Sequence, residues 1–298
     1  MRKFCLFIIL VSLFFFVFSG CELWPRDTGT VIHIAIGLSY EGSGVQALGA
    51  PPNDAICLSR AFEQLYDDRP FHSIVLKDKN EGNPLTKKRL TDILNDTMKR
   101  LTPSDLLIIT YSGHGWTDGS WALHPAIVGQ PIIGEEGQIN ESALLGVEEL
   151  FALLTQSPSP VLLISDSCYS GNFVAGETSS ISSNKTHQNL TDAYGRFFTS
   201  DRYSKEVFVM TATTGEHSSY EPLFADHAHG YFTSALLEGL GWDCQQQELT
   251  TRSNRLSTDE LYHYVLEHQL LPTKPSGGLL YQRPMIVGGP LDLVLVNR

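Results

Sequence analysis

The sequence predicts an α/β protein: a three-layer sandwich whose central sheet is mostly parallel, has about six strands, and carries helices on both faces. Three observations lead there. Two stretches, Leu106–Ile109 within Asp105–Thr110 and Val161–Ile164, are continuously rather than alternately apolar, as strands covered on both faces of a parallel sheet are. Each run stops abruptly at small and polar residues. Around them, strand-like and helix-like segments alternate in a β-α-β-α-β order, which builds a sheet between helical layers.

Residues 1–20 stand apart from that fold. Arg2 and Lys3 precede an unbroken apolar run, Phe4 to Phe18, too short for a comfortable membrane span and followed by Ser19, Gly20 and Cys21. A charged start, an apolar middle and small residues at the end are the signature of a secretory signal, the alternatives to a lipidated start being an uncleaved N-terminal anchor or plain secretion. The Cys after Ser-Gly resembles a bacterial lipobox, with Phe18 in place of the usual Leu. That resemblance implies acylation at Cys21, a lipidated tether over residues 21–30, and a lipid-anchored domain over 31–298, outside the cytoplasmic membrane of a bacterial cell envelope.

Within the domain, Val31–Gly37 reads as the first core strand, and Glu41 to Pro52, rich in Gly, Ala and Pro, as a loop. Asn53 or Asp54 caps a helix over Ala55–Tyr66. Phe71–Leu76 is a second strand, and Thr86 leads into a helix over Lys87–Arg100 with Leu90, Ile93, Leu94 and Met98 inward. Trp116 to Gln138 is an irregular loop whose Trp116 and Trp121 are expected to line a cleft. Glu148–Leu154 is a short helix. The Ser/Thr-rich stretch within 176–205 cannot bury a core and reads as a mobile linker. Glu206–Thr211 is a strand, and Tyr231–Leu240 and Thr258–Leu271 are helices, the second with a capping box through Glu260. Met285–Val287 and Leu291–Val296 are expected to close the sheet.

Charge and cysteines narrow the function. A formal net charge of −12 argues against nucleic acid as a partner and suits basic ligands. Beyond Cys5 and Cys21, the thiols are Cys57, Cys168 and Cys244, too few for a disulfide framework. Cys57 falls on an apolar helix face. His227 and His229 form a His-x-His without a third ligand at recognisable spacing, so no metal is expected and both read as loop residues.

Chemistry concentrates at the two buried strands. One ends in Tyr111-Ser112-Gly113-His114-Gly115 and the other in Ser165-Asp166-Ser167-Cys168. Ligands bind at the carboxyl ends of parallel strands. If these strands are neighbours, Cys168 and His114 meet across one cleft, as a thiol nucleophile and its acid/base partner must. Taken singly, a Cys is often a small buried hydrophobe and a His a polar loop residue; the pairing favours chemistry.

Both motifs, in this order and about fifty residues apart, make the chain similar to the caspase-like cysteine peptidases, closest to the metacaspase and bacterial caspase-like branch. Asn53-Asp54-Ala55, Gly230-Tyr231-Phe232-Thr233 and Gln282-Arg283-Pro284 add weaker matches. The resemblance implies Cys168 as nucleophile, His114 as general acid/base, and the N–H groups of Gly115 and Cys168 as an oxyanion hole. It implies Asp166 at the base of a substrate pocket, Asp54 as a second pocket carboxylate and Ser112 as a lining hydroxyl, hence cleavage after Arg or Lys. The lesser alternative for Asp166 is a carboxylate that merely caps local backbone N–H groups. Pro51 and Pro52 stand where many metacaspases have a Cys. Calcium activates part of that family, but no acidic ligand cluster is evident here, and no cofactor is assigned. The linker position implies possible self-cleavage after Lys185. The expected partners are polypeptides with basic residues and, through the lipid, a membrane. Two alternatives are a catalytically silent caspase-fold lipoprotein acting as a binding module, and a thiol transpeptidase.

Overall fold

The computed structural model describes residues 29–78, 84–127, 129–170, 207–222, 228–251, 253–270, 281–287 and 293–297. Residues 1–28 and 171–206 lie outside it, so the signal segment, Cys21, the linker and Lys185 have no structural account. Among the described residues, no helix is long and apolar enough to cross a membrane.

The chain begins with β1 (Val31–Gly37), α1 (Pro51–Leu65), β2 (Phe71–Lys77), α2 (Lys87–Met98) and β3 (Leu106–Ser112). A two-stranded ribbon, β4 (Trp121–Ala122) with β5 (Leu144–Leu145), precedes α3 (Val147–Leu154) and β6 (Val161–Asp166). After the linker come β7 (Val207–Thr211), α4 (Tyr231–Gly239), the pair β8 (Trp242–Asp243) and β9 (Glu248–Leu249), and β10 (Arg255–Ser257). The chain closes with α5 (Thr258–His268), β11 (Met285–Val287) and β12 (Val294–Asn297).

Six strands form the central sheet in the order β11-β7-β6-β3-β1-β2. All neighbours run parallel except β11, which is antiparallel to β7. Because alternate side chains point to opposite faces, the apolar runs feed two cores at once. Ile34, Ile36, Leu107, Ile109 and Leu163 pack against α2 and α3 through Leu90, Leu94, Leu150 and Phe151. Val31, Leu106, Ile108, Leu162 and Ile164 pack against α1, α4 and α5 through Phe62, Phe232, Leu236 and Leu261. Each such side chain contributes about 1.5–3 kcal/mol by leaving water. The three-layer expectation holds, and it sets the two motif strands, β3 and β6, side by side at the centre.

Three expectations need correction. The last strand does not join the sheet: β12 pairs antiparallel with β10 in a separate ribbon. The first helix starts at Pro51 rather than Ala55, because a proline lacks only an N–H that the first turn leaves unpaired anyway. Asp54 therefore sits inside the helix instead of capping it. Trp121 lines no cleft: it is wholly buried, stacks on Tyr111 at 4.2 Å, and donates its indole N–H to the Ser165 hydroxyl at 3.0 Å.

Helix ends elsewhere follow local chemistry. Thr86 caps α2 by accepting from the Arg89 N–H, and Ser257 with Glu260 forms the expected capping box on α5.

Candidate active site

Register places the two motifs. Ser112 of β3 is the pairing partner of Asp166 of β6, and two further residues on each strand lead to His114 and Cys168. The tips are in contact: a Cβ at Gly115 would lie 2.0 Å from the Cys168 carbonyl oxygen, so no side chain fits there. Cys168 is partly exposed, as is His114. Just past the thiol, Tyr169 takes a left-handed backbone conformation (φ 56°), with its N–H held by the His217 carbonyl at 2.8 Å. Such a φ is rare for a residue with a Cβ.

The His114 peptide is gripped from both ends. Its N–H donates to the Tyr40 hydroxyl at 2.9 Å, and its carbonyl accepts from the Tyr111 hydroxyl at 2.7 Å. The Tyr40 and Tyr111 hydroxyls lie 2.8 Å apart, and both rings are buried. Tyr40 itself has a positive φ of 61°, and its N–H is bound by the Asp78 carboxylate at 2.5 Å. The imidazole lies 4.6 Å from the Tyr40 ring, and its Nε2 is 2.7 Å from the Gln46 carbonyl oxygen. A carbonyl only accepts, so Nε2 carries the proton of the neutral ring and Nδ1 holds the lone pair.

Burial shifts both reactive groups toward neutrality. It lowers the His114 pKa from its ordinary value, against the opposing pull of the Gln46 carbonyl and the Glu221 charge. It raises that of Cys168, with the charge of Asp166 adding to the rise, although Ser219 and Ser218 hydrogen bonds counter it. The thiol points at the Ser219 carbonyl, 3.8 Å away. At rest the pair is thus thiol and imidazole, not thiolate and imidazolium.

The amides around the thiol differ in whether the protein uses them. His114 N–H and Trp116 N–H are both used, the latter by the Ser120 carbonyl at 2.8 Å. Among the described residues, neither the Gly115 N–H between them nor the Cys168 N–H has a backbone acceptor.

Asp166 and Asp54 converge behind these strand tips. A Cβ on Gly230 would lie 2.4 Å from Asp166 Oδ2 and 3.5 Å from Asp54 Oδ2, which locates both carboxylates at one glycine. Asp54 is inaccessible and Asp166 only 7% exposed, so each is held by protein donors. Asp166 accepts from the Ser219 hydroxyl (2.5 Å), the Thr233 hydroxyl (2.7 Å) and the Thr233 N–H (3.2 Å). Asp54 accepts from Ser112 (2.6 Å), from His229 Nδ1 (2.8 Å) and from the Gly230 N–H (3.3 Å). Burial, then the Asp54 charge, raises the Asp166 pKa to about 7 against the pull of those hydrogen bonds.

Sequence reasoning placed His229 in a loop without a task; instead it is the cationic partner of Asp54. Burial alone would lower its pKa, but the Asp54 bond, with further bonds to the Cys244 and Cys57 sulfurs, carries it far above the ordinary value. Cys57, Cys168 and Cys244 are free thiols. Among the described residues, no cluster of three His, Cys, Asp or Glu groups is arranged to hold a metal ion. His227 lies outside the described residues. Also unforeseen were Tyr40, Gln46, Ser219, Glu221 and Thr233, ordinary polar residues whose positions depend on tertiary packing.

No protein-family profile matches the sequence, and no curated protein is similar to it. The fold has solved counterparts. Caspase-1 from Spodoptera frugiperda superposes with a TM-score of 0.54 at 13% identity, covering 92% of each chain. A structural-genomics protein from Geobacter sulfurreducens gives 0.52 at 19% identity, covering 87% of this chain and 93% of that one. At these identities the likeness is one of fold: the architecture is caspase-like.

Proposed function

We propose that this caspase-fold chain is a cysteine endopeptidase that cleaves after Arg or Lys. One observation carries the reading: a partly exposed Cys168 and His114 stand on the touching tips of paired strands β3 and β6. As Cys168 Sγ attacks the scissile carbonyl carbon, His114 Nδ1 takes the thiol proton, so no free thiolate is needed beforehand. The tetrahedral oxyanion accepts from the Gly115 and Cys168 N–H groups. The C–N bond then breaks, and the imidazolium passes its proton to the departing amine. Water, activated by His114, hydrolyses the thioester and restores the thiol.

Substrate choice falls to Asp166. Each carboxylate oxygen accepts about two hydrogen bonds, and among the described residues Oδ1 has one, from the Ser219 hydroxyl. A guanidinium or ammonium group completes that oxygen. Asp54 supports the site with its charge already matched by His229, and Ser112 orients Asp54. Anchoring through an acylated Cys21 and processing after Lys185 belong to the same proposal.

The test is hydrolysis of fluorogenic peptides with Arg, Lys or Asp before the reporter, by the chain from Glu22 onward, with and without calcium. Cleavage of the Arg and Lys peptides, lost in Cys168→Ala, is the expected result. Cleavage of the Asp peptide alone rejects the pocket, and none at all favours the binding module. Product joined to an added amine, rather than to water, identifies a transpeptidase.

A further inference from the structure

The loop that holds the His114 imidazole is fastened at its far end by a residue from the other side of the linker. Residues 41–50 run from Tyr40 to α1, and Gln46, in their middle, supplies the carbonyl that receives Nε2–H. The near end is pinned by Tyr40: the Ser43 N–H and hydroxyl both reach the Tyr40 carbonyl, at 3.1 and 2.6 Å. At the far end, α1 has no side-chain cap of its own at Ala50. Its place is taken by Glu221, whose two carboxylate oxygens accept from the Gly49 N–H (3.0 Å) and the Ala50 N–H (2.9 Å).

Glu221 is itself well held. Next to it, the Tyr220 N–H donates to Gln282 Oε1 at 3.1 Å, and the Tyr220 carbonyl accepts from the Tyr231 N–H at 3.1 Å. Ser219 is bound to Asp166 and to Gln282 Nε2. The carboxylate therefore joins a rigid segment to an exposed one, since Gln46 and Gly49 both face solvent.

We propose that Glu221 is a positioning residue for the reaction: by clamping Gly49 and Ala50 it fixes the Gln46 carbonyl, and with it the tautomer and orientation of His114. The inference rests on the peptidase reading for its catalytic consequence, but its structural half stands without it. The clamp also makes His114 depend on residues that follow the linker, so that a chain ending before residue 221 lacks the oriented base. A plain helix cap would leave His114 untouched; a clamp on its acceptor does not.

Glu221→Gln is isosteric, and its amide nitrogen cannot accept, so one of the two loop bonds is lost along with the charge. The Tyr40 ring and the Gln46 carbonyl lie against the His114 imidazole, and the Glu221 charge acts on it through space; of these only Glu221 is altered in the variant. In full-length Cys168→Ala protein, NMR titration of His114 is expected to show its pKa falling by about half a unit or more in Glu221→Gln. In the intact-thiol protein, kcat on an Arg peptide falls about tenfold with KM nearly constant. Glu221→Asp, one methylene too short to reach both amides, keeps the charge and still lowers kcat; it carries the test should the Gln variant fail to fold. An unchanged His114 titration in folded Glu221→Gln overturns the inference, even if wild type cleaves. A titration shifted in Glu221→Asp as well, which keeps the charge that acts on His114 through space, supports the clamp, and if that protein has no peptidase activity it rejects the proposed function instead; a shift confined to Glu221→Gln is the lost charge alone and overturns the clamp.

Discussion

Ser112 and Asp166 are register partners on neighbouring parallel strands, and each stands two residues before a reactive side chain. The same pairing that brings the strand tips bearing His114 and Cys168 together at Gly115 also aims the Ser112 hydroxyl at Asp54, 2.6 Å away. Asp166 and Asp54 in turn meet at Gly230. One ladder of backbone hydrogen bonds thus fixes both the chemistry and the charge beside it, and a slip of one residue would dismantle both.

Burial lowers the His114 pKa and raises that of Cys168, so both groups rest in their neutral forms. The alkylation rate of Cys168 by iodoacetamide is therefore expected to rise with pH only in the alkaline range of an elevated thiol. A caspase-fold peptidase that kept an ion pair would instead react fast at pH 6. By contrast kcat needs a lone pair on His114, so it climbs through a pKa below the ordinary 6.5 and is then flat. His114→Ala should reduce kcat by about 10²–10⁴-fold.

Asp166 titrates near neutrality, raised by burial and by Asp54. A basic substrate side chain binds its charged form, so KM for an Arg peptide should fall as pH rises through about 7, while KM for an Ala peptide should not. In Asp166→Asn that pH dependence disappears, and kcat/KM for the Arg peptide drops about 10–100-fold, the worth of a charge-assisted hydrogen bond. A variant that cleaves Arg peptides as well as wild type removes Asp166 from the pocket.

What the sequence made legible was the central strands and the motifs at their ends, although not the ribbon that takes β12 out of the sheet. Continuous apolar runs identify β3 and β6 as central, and the motif residues follow by counting. Trp121 was misplaced because an aromatic in a Gly/Pro-rich loop looks exposed until Tyr111 and Ser165 supply its partners. Tyr40, Gln46, Glu221 and His229 act through contacts with residues at least 68 positions away, and nothing local marks them. Asp54 was legible as a carboxylate but not as one half of an ion pair.

His33 predicts the acid side of the stability curve. It is wholly buried on β1, against Phe62, with Nε2 2.9 Å from the Thr110 hydroxyl, and burial lowers its pKa to about 3. The unfolded chain binds that proton at its ordinary 6.5, so between about 6.5 and 3 unfolding takes up a proton and stability falls as pH falls. Asp166 works the opposite way: its native pKa lies above the unfolded one, so its penalty is relieved as pH drops through 7. The two partly cancel. His33→Gln removes only the first, and denaturation measured between pH 6 and 4 should show stability falling less steeply than in wild type, by about 1.4 kcal/mol per pH unit. Equal slopes would mean the imidazole is charged in the folded protein.

The His229–Asp54 pair gives the sharpest test of how the acidic cluster survives burial. Asp54 is inaccessible and lies beside Asp166, so its charge is tolerable only with a cation in contact, and His229 Nδ1 supplies it at 2.8 Å. Replacing His229 by Gln leaves a hydrogen bond but no charge, and unfolding should cost about 3–5 kcal/mol less, the loss typical when one member of a buried pair is removed. Asp54→Asn alone strands the imidazole, which has only the Cys57 and Cys244 sulfurs left, and its pKa should fall sharply in an NMR titration. The double variant carries neither charge, so its stability should recover most of the loss, giving a large favourable coupling in the four-member cycle. Asp166 reports the same event independently: with Asp54 charged and His229 gone its pKa should rise further, and with Asp54→Asn it should drop. A cycle in which the two single losses simply add would mean the pair is not an ion pair, and the Asp166 carboxylate would then owe its elevation to burial alone.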